Sequence, residues 1–529
     1  MSFANFHPLG SDLLTTLVFL PTLGALVLAL IPGSSKLVTK GIALVTSFLT
    51  FAVSVMLYRG FDTAIGVPEA FAIDHPWIPQ FGIRYQLGLD GFSLALVLLT
   101  TILTVSVLLV SCGQEIEKLK GYMVAFLLLE TGMLGSLVAL DTLLFYVFWE
   151  VMLVPMYFII GIWGGKRRIY AAMKFILFTL VGSLLMFVAI LYTAHIHLRA
   201  TGLQSFSLAD WTRAASSGAW NLTPGTEALL FGAFALAFLV KVPLWPLHTW
   251  LPDAHVEAPT GGSIILAGVL LKLGTYGLLR FAYPLFPHAA ARYGPLLAVL
   301  ALVGIVYGAW VAAAQKDMKK LVAYSSVSHL ALVVLGIVAG TGAALSGAIF
   351  MMVAHGLTTG LLFLLVGVLY ARRHTREMAD YGGIAARVPV TTALFLIATL
   401  GSIGLPGLNG FVGEFLILGG VFQVKVAWAA IAATGMILGA IYLLTLVQKV
   451  FWGPETVPAN RALTDINGWE LAGAFPLVVL IVLLGVFPRP LLTLVDGSVQ
   501  TFQRVGTPAA ARERVEAHVL PAPRPEAAR

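Results

Sequence analysis

The sequence contains a single cysteine, Cys112, among 529 residues. One cysteine cannot build a disulfide framework, and it cannot supply the ligands of a Cys-bound zinc or iron–sulfur site. The sequence also lacks an HExxH segment, a haem-attachment motif, a Ser-His-Asp arrangement and a glycine-rich phosphate loop after a strand. The glycine-rich segment GLPGLNGFVGE lies inside an apolar run, where a helix break is the better interpretation. These absences exclude the standard metal-dependent, nucleotide-binding and hydrolytic sites.

Charge is also scarce. Charged residues make up 11% of the chain and hydrophobic residues 59%, whereas soluble domains carry about 25% charged residues. The sequence therefore predicts an all-α polytopic membrane protein without a long soluble domain. Its net charge of +7 does not indicate nucleic-acid binding, because the basic residues lie in loops between apolar runs. The first apolar run, 13–31, has no basic residues before it and no small-residue cleavage site, so we expect a retained helix rather than a signal peptide.

Apolar runs of about 20 residues predict membrane-spanning helices, and the chain has fourteen of them. Their approximate bounds are 12–31, 37–58, 88–110, 121–140, 142–163, 169–197, 227–247, 260–283, 294–314, 319–339, 343–370, 388–424, 426–451 and 470–488. The twelfth run is too long for one regular helix and contains Gly404, Pro406, Gly407, Gly410 and Gly413. We therefore expect that span to be broken.

Basic residues in the loops predict the orientation of the spans. One set of loops carries sixteen: Lys36, Lys40, Lys118, Lys120, Lys166, Arg167, Arg168, Lys316, Lys319, Lys320, Arg372, Arg373, Arg376, Arg387, Lys449 and Arg461. The opposite loops carry six: Arg59, Arg84, Arg199, Arg213, Arg292 and Lys425. The first set should face the cytoplasm, which places both termini outside. The tail after Phe487 carries six arginines, although this orientation places it outside, where the rule predicts few basic residues. The Ala, Pro and Arg content of the tail predicts that it is mostly disordered.

An internal repeat is also expected. Spans 4 to 8 and 9 to 13 form two groups of five, and an odd number of crossings inverts the second group relative to the first. The fourth span of each group is interrupted next to an ionisable residue, Lys241 beside Pro243 in one and Glu414 after Pro406 in the other. Interrupted helices at matching positions of inverted repeats point to a transport site.

The predicted organisation has five parts. They are the N-terminal helices in 1–120, the first repeat in 121–283, the second repeat in 294–451, the last helix in 452–490 and a polar C-terminal tail in 491–529.

Ionisable residues within or beside the spans are the candidate functional residues. A charge at bilayer depth is costly unless it faces protein, water or a partner charge, and it is functional by default. The candidates are Glu150, Lys241, Lys272, His355, Glu414, His329, Lys174 and His248. Removal from water favours the neutral form of a lysine, and histidine changes charge near neutral pH. The set therefore predicts a proton pathway.

Simpler interpretations stay open for the same residues. Buried lysines and glutamates can form static ion pairs that fix helix packing, and a lone histidine often bonds a neighbouring helix. Lys174 lies close enough to the basic loop to extend to the cytoplasm. The polar segment with His248, Asp253, His255 and Glu257 either caps helix ends or takes up protons.

Two segments resemble a known family. LPDAHVEAPTGGSIILAGVLLKLGTYGLLRF, residues 251–281, resembles the signature of the antiporter-like subunits of respiratory complex I. FYVFWEVMLVPMYFIIGIWGG, residues 145–165, is similar to the fifth helix of subunit M, the bacterial counterpart of mitochondrial NADH dehydrogenase subunit 4. The resemblance covers about residues 12–490. Glu414 favours subunit M, because most other relatives carry lysine there. The polar tail after about Arg504 is longer than the family pattern.

The resemblance implies fourteen core helices, two inverted five-helix repeats and broken helices 7 and 12. It implies that Glu150 and Lys241 form the charge pair of one half-channel, that Lys272 and His355 lie on a central axis, and that Glu414 serves the exit. The chain would be a proton-translocating subunit with no cofactor of its own. NADH, FMN, iron–sulfur clusters and quinone would be used by other subunits.

The implied partners are the other membrane subunits of complex I, with L-type and N-type antiporter-like subunits on either side, the lipid bilayer and protons, but no nucleic acid. The implied location is the bacterial inner membrane, with a multi-pass chain. Two alternatives remain: a subunit of an Mrp-type cation/proton antiporter, and a membrane scaffold whose charges only lock its packing.

Overall fold

The computed structural model describes residues 12–32, 35–64 and 66–506. Within that part of the chain, thirteen helices are long and apolar enough to cross a membrane, and two shorter apolar helices occupy the place of the predicted twelfth span. Numbered as spans 1 to 14, they are Leu13–Leu30, Lys36–Gly60, Gly91–Cys112, Leu119–Val138, Thr142–Trp163, Arg168–Thr201, Pro224–Lys241, Thr260–Leu285, Pro287–Ala313, Met318–Ala339, Gly342–Arg373, the pair Pro389–Ser402 and Asn409–Val424, Val426–Phe451 and Gly468–Val486. The prediction of a helical polytopic membrane protein is confirmed.

Polar side chains fix where the spans begin. Asp141 precedes span 5, and its Oδ1 accepts hydrogen bonds from the backbone N–H groups of Leu143 and Leu144 at 2.9 and 3.0 Å. Asp90 and Ser93 form a reciprocal capping box at the start of span 3. Such caps satisfy the N–H groups that have no partner in the first helical turn. The boundaries of these spans therefore follow from local sequence.

Spans 7 and 12 have non-helical interruptions. Span 7 ends at Lys241, and a turn leads to a short helix, Trp250–Glu257, which we call the hinge helix. In span 12, residues 403–408 separate the two helices. Gly404 and Gly407 in this link have φ angles of 73° and 94°, a left-handed conformation that residues with a Cβ rarely adopt. The two interruptions lie beside Lys241 and Glu414. The inverted relation of the two repeats and the five-part organisation stay predictions.

The centre of the bundle is formed by spans 8 and 11. Their most apolar stretches are entirely buried by the rest of the chain, whereas those of spans 2, 13 and 14 are only 33% buried. Span 8 also contains two π-helical turns, Leu266–Leu270 and Leu278–Ala282, on either side of Lys272. A π turn frees backbone groups and is frequent at functional sites. Lys272 and His355 therefore lie on the two best-shielded helices.

A β-hairpin between spans 2 and 3 was not part of the sequence prediction. Strands β1 (Ala70–Ile78) and β2 (Ile83–Leu89) pair antiparallel, with Ile73 opposite Leu87. The hairpin is tied to the start of span 5, because the Leu140 N–H donates to the Gln86 carbonyl at 2.8 Å. The strands have nine and seven residues, but β1 contains Pro76 and its burial does not alternate, so the sequence signal of a strand is weak.

The prediction of a mostly disordered tail was wrong for residues 489–505. They form a helix, Arg489–Val505, which we call the C-terminal helix. It packs on spans 3 and 11, and the Ser498 hydroxyl accepts a hydrogen bond from the Gly91 N–H at 3.0 Å. Its buried residues are Leu491, Leu494, Val495, Ser498, Val499 and Phe502. They recur at helical spacing, a signal that the average composition of the tail conceals. Residues 507–529 lie outside the described residues.

A buried ion pair closes the end of span 8 that lies beside the hairpin. Nη2 of Arg280 bonds Oδ1 of Asp90 at 2.5 Å, and both side chains are less than 10% exposed. Arg280 Nε also donates to the Tyr276 hydroxyl at 3.1 Å. The pair locks span 8 to the start of span 3. Removal of one partner would strand a buried charge, which is strongly destabilising.

The break in span 12 yields a first prediction. A Cβ at Gly404 would overlap the Glu414 carboxylate, and its left-handed backbone costs about 1–2 kcal/mol for a residue with a Cβ. We expect Gly404→Ala to lower the amount of folded protein in the membrane and its thermal unfolding midpoint. Gly419→Ala is the matched control, because a Cβ there meets no neighbouring atom. Equal behaviour of the two variants would show that the break does not depend on Gly404.

Candidate functional site

The central contact joins spans 8 and 11. Nζ of Lys272 lies 2.7 Å from Nδ1 of His355, and the same amine donates to the Ala267 carbonyl in the first π-helical turn. Each side chain is 1% exposed. The His329 ring of span 10 approaches the His355 ring, with centroids 5.5 Å apart. The structure thus brings three of the candidate residues together, and neighbouring amine and imidazole groups can exchange a proton.

Glu414 lies on the other side of His329. A small cavity of about 10 Å³ is lined by His329, Glu414, Ser328 and Ser402. One water molecule requires roughly 10–15 Å³ of such space, so the cavity is near the size of a single water. Glu414 is 2% exposed and packs against the span 12 break at Gly404. His329 and Glu414 therefore share one small polar space next to an interrupted helix.

The expected direct ion pair between Glu150 and Lys241 is not formed in the structure. Lys241 Nζ lies 4.7 Å above the centroid of the Trp149 ring, and the carboxylate of Glu150 acts on it only through a longer-range coulombic interaction. The reason is local: Lys241 ends its helix and points to the indole, which attracts cations. Lys241 is buried, whereas Glu150 is partly buried, with its Oε1 atom shielded and without a hydrogen-bond partner. The two groups interact electrostatically without direct contact.

Lys174 and His248 are held at the hinge helix. Nζ of Lys174 bonds Oδ2 of Asp253 at 2.6 Å, so the lysine is paired within the protein rather than extended to the membrane surface. His248 lies in the turn after span 7, 3% exposed, and its ring centroid is 5.3 Å from that of Tyr307. Neither residue contacts Lys272. Both make contacts next to the interruption of span 7: Lys174 of span 6 bonds the hinge helix, and the His248 ring packs against Tyr307 of span 9.

A large cavity opens beneath the hinge helix. It measures about 640 Å³ and is lined by Lys319, Glu257 and Arg376 among other residues. Nζ of Lys319 donates to the Ala258 carbonyl at 2.6 Å. His255, fully buried and stacked on Phe363 with centroids 4.5 Å apart, is coupled electrostatically to both Lys319 and Lys272. His255 is thus within electrostatic reach of a cavity residue, Lys319, and of Lys272 in the central pair. It belongs to the polar segment that the sequence left open between capping and proton uptake.

Sequence reasoning missed Glu130. It lies in span 4, is fully buried and has Thr104 of span 3 as a polar neighbour. A glutamate within the apolar run MVAFLLLETGM meets the same rule that singled out Glu150, so the sequence did contain the signal. In the described residues, no group of three or more His, Cys, Asp or Glu side chains is arranged to hold a metal ion.

Comparison with known proteins gives a consistent family. A family model described as NADH:quinone oxidoreductase/Mrp antiporter, TM, matches residues 139–439. NADH-quinone oxidoreductase subunit M of Rhodobacter capsulatus is 46% identical over 494 residues, which cover 92% of this chain and 96% of that protein. Subunit M of Escherichia coli strain K12 is 41% identical over 505 residues, covering 93% and 98%.

Two solved structures have the same fold. A chain of respiratory complex I from Thermus thermophilus with bound NADH superposes with a TM-score of 0.83 at 35% identity, covering 94% of this chain and all of that chain. A chain of the Mrp complex from Dietzia sp. DQ12-45-1b has a TM-score of 0.80 at 20% identity, covering 96% and 99%. The second likeness concerns the fold alone. The chain therefore belongs to the family of NADH-quinone oxidoreductase M subunits, antiporter-like membrane subunits of complex I.

Proposed function

We propose that this chain translocates protons across the membrane as part of an NADH-quinone oxidoreductase, coupled to quinone reduction in other subunits. The observation that carries the proposal is the 2.7 Å contact between Lys272 and His355 in fully buried helices. A static ion pair would join opposite charges, whereas lysine and histidine are both bases. Two bases in one dry site compete for a proton, which suits a relay.

Proton uptake begins at the cavity beneath the hinge helix. Lys319 lines that cavity, and His255 follows it towards Lys272. Burial and the two nearby lysines hold the pKa of His255 well below its usual value, so His255 passes a proton between the lysines without retaining it. The basic loops lie on the same side, which supports a cytoplasmic location for the inlet. By the same rule both termini lie on the periplasmic side of the bacterial inner membrane.

Proton release proceeds through His329 and Glu414. The two imidazole rings of His355 and His329 are adjacent, and the small cavity joins His329 to Glu414. Glu414 packs against the span 12 interruption, where a change in the link would change its access to water. Spans 8, 10, 11 and 12 thus provide a route with one ionisable group at each step.

Glu150 and Lys241 form a control element beside this route. The side chain of Glu150 is partly buried about halfway along a membrane span, and its Oε1 atom is buried without a hydrogen-bond partner, which is costly for a carboxylate. A neighbouring subunit that offers Glu150 a hydrogen-bond donor or a cation lowers this cost and can change its distance to Lys241. We therefore infer that antiporter-like subunits of the L and N types flank this chain.

The redox chemistry belongs to other subunits. We assign to those subunits the binding of NADH, FMN, the iron–sulfur clusters and quinone. This chain itself contributes a buried series of proton carriers and lipid-facing helices. The complex acts as a translocase. An Mrp-type antiporter subunit is the related alternative, and it is less favoured because that likeness rests on 20% identity. A scaffold role would not require the Lys272–His355 contact.

A test of the relay replaces Lys272. We expect Lys272→Ala to lower proton pumping per assembled complex about a hundredfold or more, the typical contribution of an acid–base group. Lys272→Arg should be equally impaired although it keeps the charge, because a guanidinium does not release its proton. The measurement is pumping and quinone reduction in membrane vesicles, normalised to assembled complex.

Lys449→Ala serves as the control, since Lys449 is exposed at the end of span 13. Normal proton-to-electron ratios in assembled Lys272→Ala complex would rule out the central relay. Failure to assemble would instead favour the scaffold interpretation.

A second test concerns Glu150 and Lys241. Glu150→Gln keeps the shape and removes the charge, so we expect most pumping to be lost while the complex still assembles. Glu150→Asp should be milder. The double variant Glu150→Gln with Lys241→Met should stay inactive, because both control groups are gone. Restored pumping in the double variant would indicate a purely structural pair, since a stranded buried charge is what harms the single variants.

A further inference from the structure

An apolar groove runs between spans 2, 3, 11 and 14 and the C-terminal helix. Its volume is about 390 Å³, and almost all of its lining is hydrocarbon. Residues from each of the five helices contribute to it, among them Val55, Leu98, Leu357, Leu484 and Leu491. The groove does not belong to the proton route, because no ionisable side chain lines it except the Tyr58 phenol at one end.

The length of the groove matches one leaflet of a bilayer. On span 2 it extends from Phe51 to Tyr58, two residues before the helix ends at Gly60. Seven residues of helix correspond to about 10 Å, and half of a hydrocarbon core is about 15 Å. On span 11 the groove reaches Val353 and Leu357, on either side of His355. It therefore starts at one membrane surface and stops near the middle, as an acyl chain does and a helix of a partner protein does not.

Two arginines stand at the open end of the groove. Arg59 follows Tyr58, and Arg489 precedes Pro490, both of which line the groove. Each arginine is exposed, and among the described residues neither has an ion-pair partner. They lie on the side of the membrane that is poor in basic residues. Guanidinium groups bind phosphate through two parallel hydrogen bonds, so the charge at this end complements a phosphate headgroup.

We propose that the groove is a binding site for an acidic phospholipid from the leaflet opposite the Lys166–Arg168 loop. One acyl chain occupies the groove, and Arg59 and Arg489 hold the headgroup phosphate. This goes beyond the proton route. It also gives the C-terminal helix a role, since that helix supplies one wall and one arginine.

The lipid would also insulate the central pair. Leu99 lines the groove and packs directly against Gly356, the residue after His355. The groove thus borders span 11 directly, through Val353 and Leu357, at the depth of the Lys272–His355 contact. An acyl chain there keeps water away from the outer side of that contact.

The test uses the whole complex in nanodiscs of phosphatidylglycerol or phosphatidylcholine, with a trace of the same lipid that carries a photoreactive diazirine on its acyl chain. We expect phosphatidylglycerol to label the groove segments 51–58 and 480–494. Arg59→Gln and Arg489→Gln should each lower this labelling about fivefold, since an arginine near an anionic headgroup contributes about 1 kcal/mol. Arg199→Gln, at an exposed arginine on the same side, should leave it unchanged.

A second pair of variants addresses the groove itself. Ala95→Phe fills the groove and should abolish the labelling, whereas Ala52→Phe, on the exposed face of span 2, should not. Equal labelling by both lipids and in every variant would show that the groove only contacts bulk bilayer lipid. A photoreactive residue at Leu98 that captures a protein chain instead of lipid would show that a neighbouring subunit occupies the groove. Either result overturns the proposal.

Discussion

The architecture depends on the cost of holding ionisable groups away from water. Lys272 and His355 meet inside two helices that the rest of the chain covers completely. In such surroundings a charged amine is unfavourable without compensating groups, and the Ala267 carbonyl in a π-helical turn provides one. Because the charged form is costly in this site, small changes in nearby charges or waters alter the proton affinity of the Lys272–His355 pair. A relay can therefore be controlled by modest movements of neighbouring charges or waters.

Interruptions of the helices give the chain places to make such movements. Lys241 occupies the last position of span 7, where the helix dipole favours a cation. Glu414 rests against the left-handed Gly404 in the span 12 link. Each interruption frees backbone groups inside the membrane, which is tolerated only where protein or a polar cavity surrounds them. The broken helices and the buried charges thus depend on one another.

The hinge helix connects these elements to the side of the basic loops. Lys174 holds it through Asp253, the Arg167 N–H donates to the Glu257 carboxylate at 2.8 Å, and Arg376 donates to the Val256 carbonyl at 2.6 Å. These three contacts come from spans 6 and 11 and the loops beside them. These contacts tie the basic loops to the hinge helix, which contains His255.

The sequence by itself determined the class of protein and most of its spans, because a run of about twenty apolar residues has no other stable location than a membrane. Depth along a span also follows from counting residues, which is why Lys272, His355 and Glu414 could be identified as buried. The helix breaks were visible in Gly404 and Gly407, since only glycine adopts their backbone geometry without strain. Glu130 met the same depth criterion and was overlooked.

Only the tertiary structure decided which of these groups meet. Rotation of one helix about its axis does not change its hydrophobicity pattern when all faces are buried, so the pattern cannot say that Lys272 faces His355 or that Lys241 faces Trp149 instead of Glu150. The hairpin and the C-terminal helix depend on packing against spans that are distant in sequence, as the Ser498–Gly91 contact shows. The hairpin strands carry little local signal, whereas the helical spacing of the C-terminal helix is concealed by the average composition of the tail. Contacts between distant segments select those conformations, and they exist only after the chain has folded.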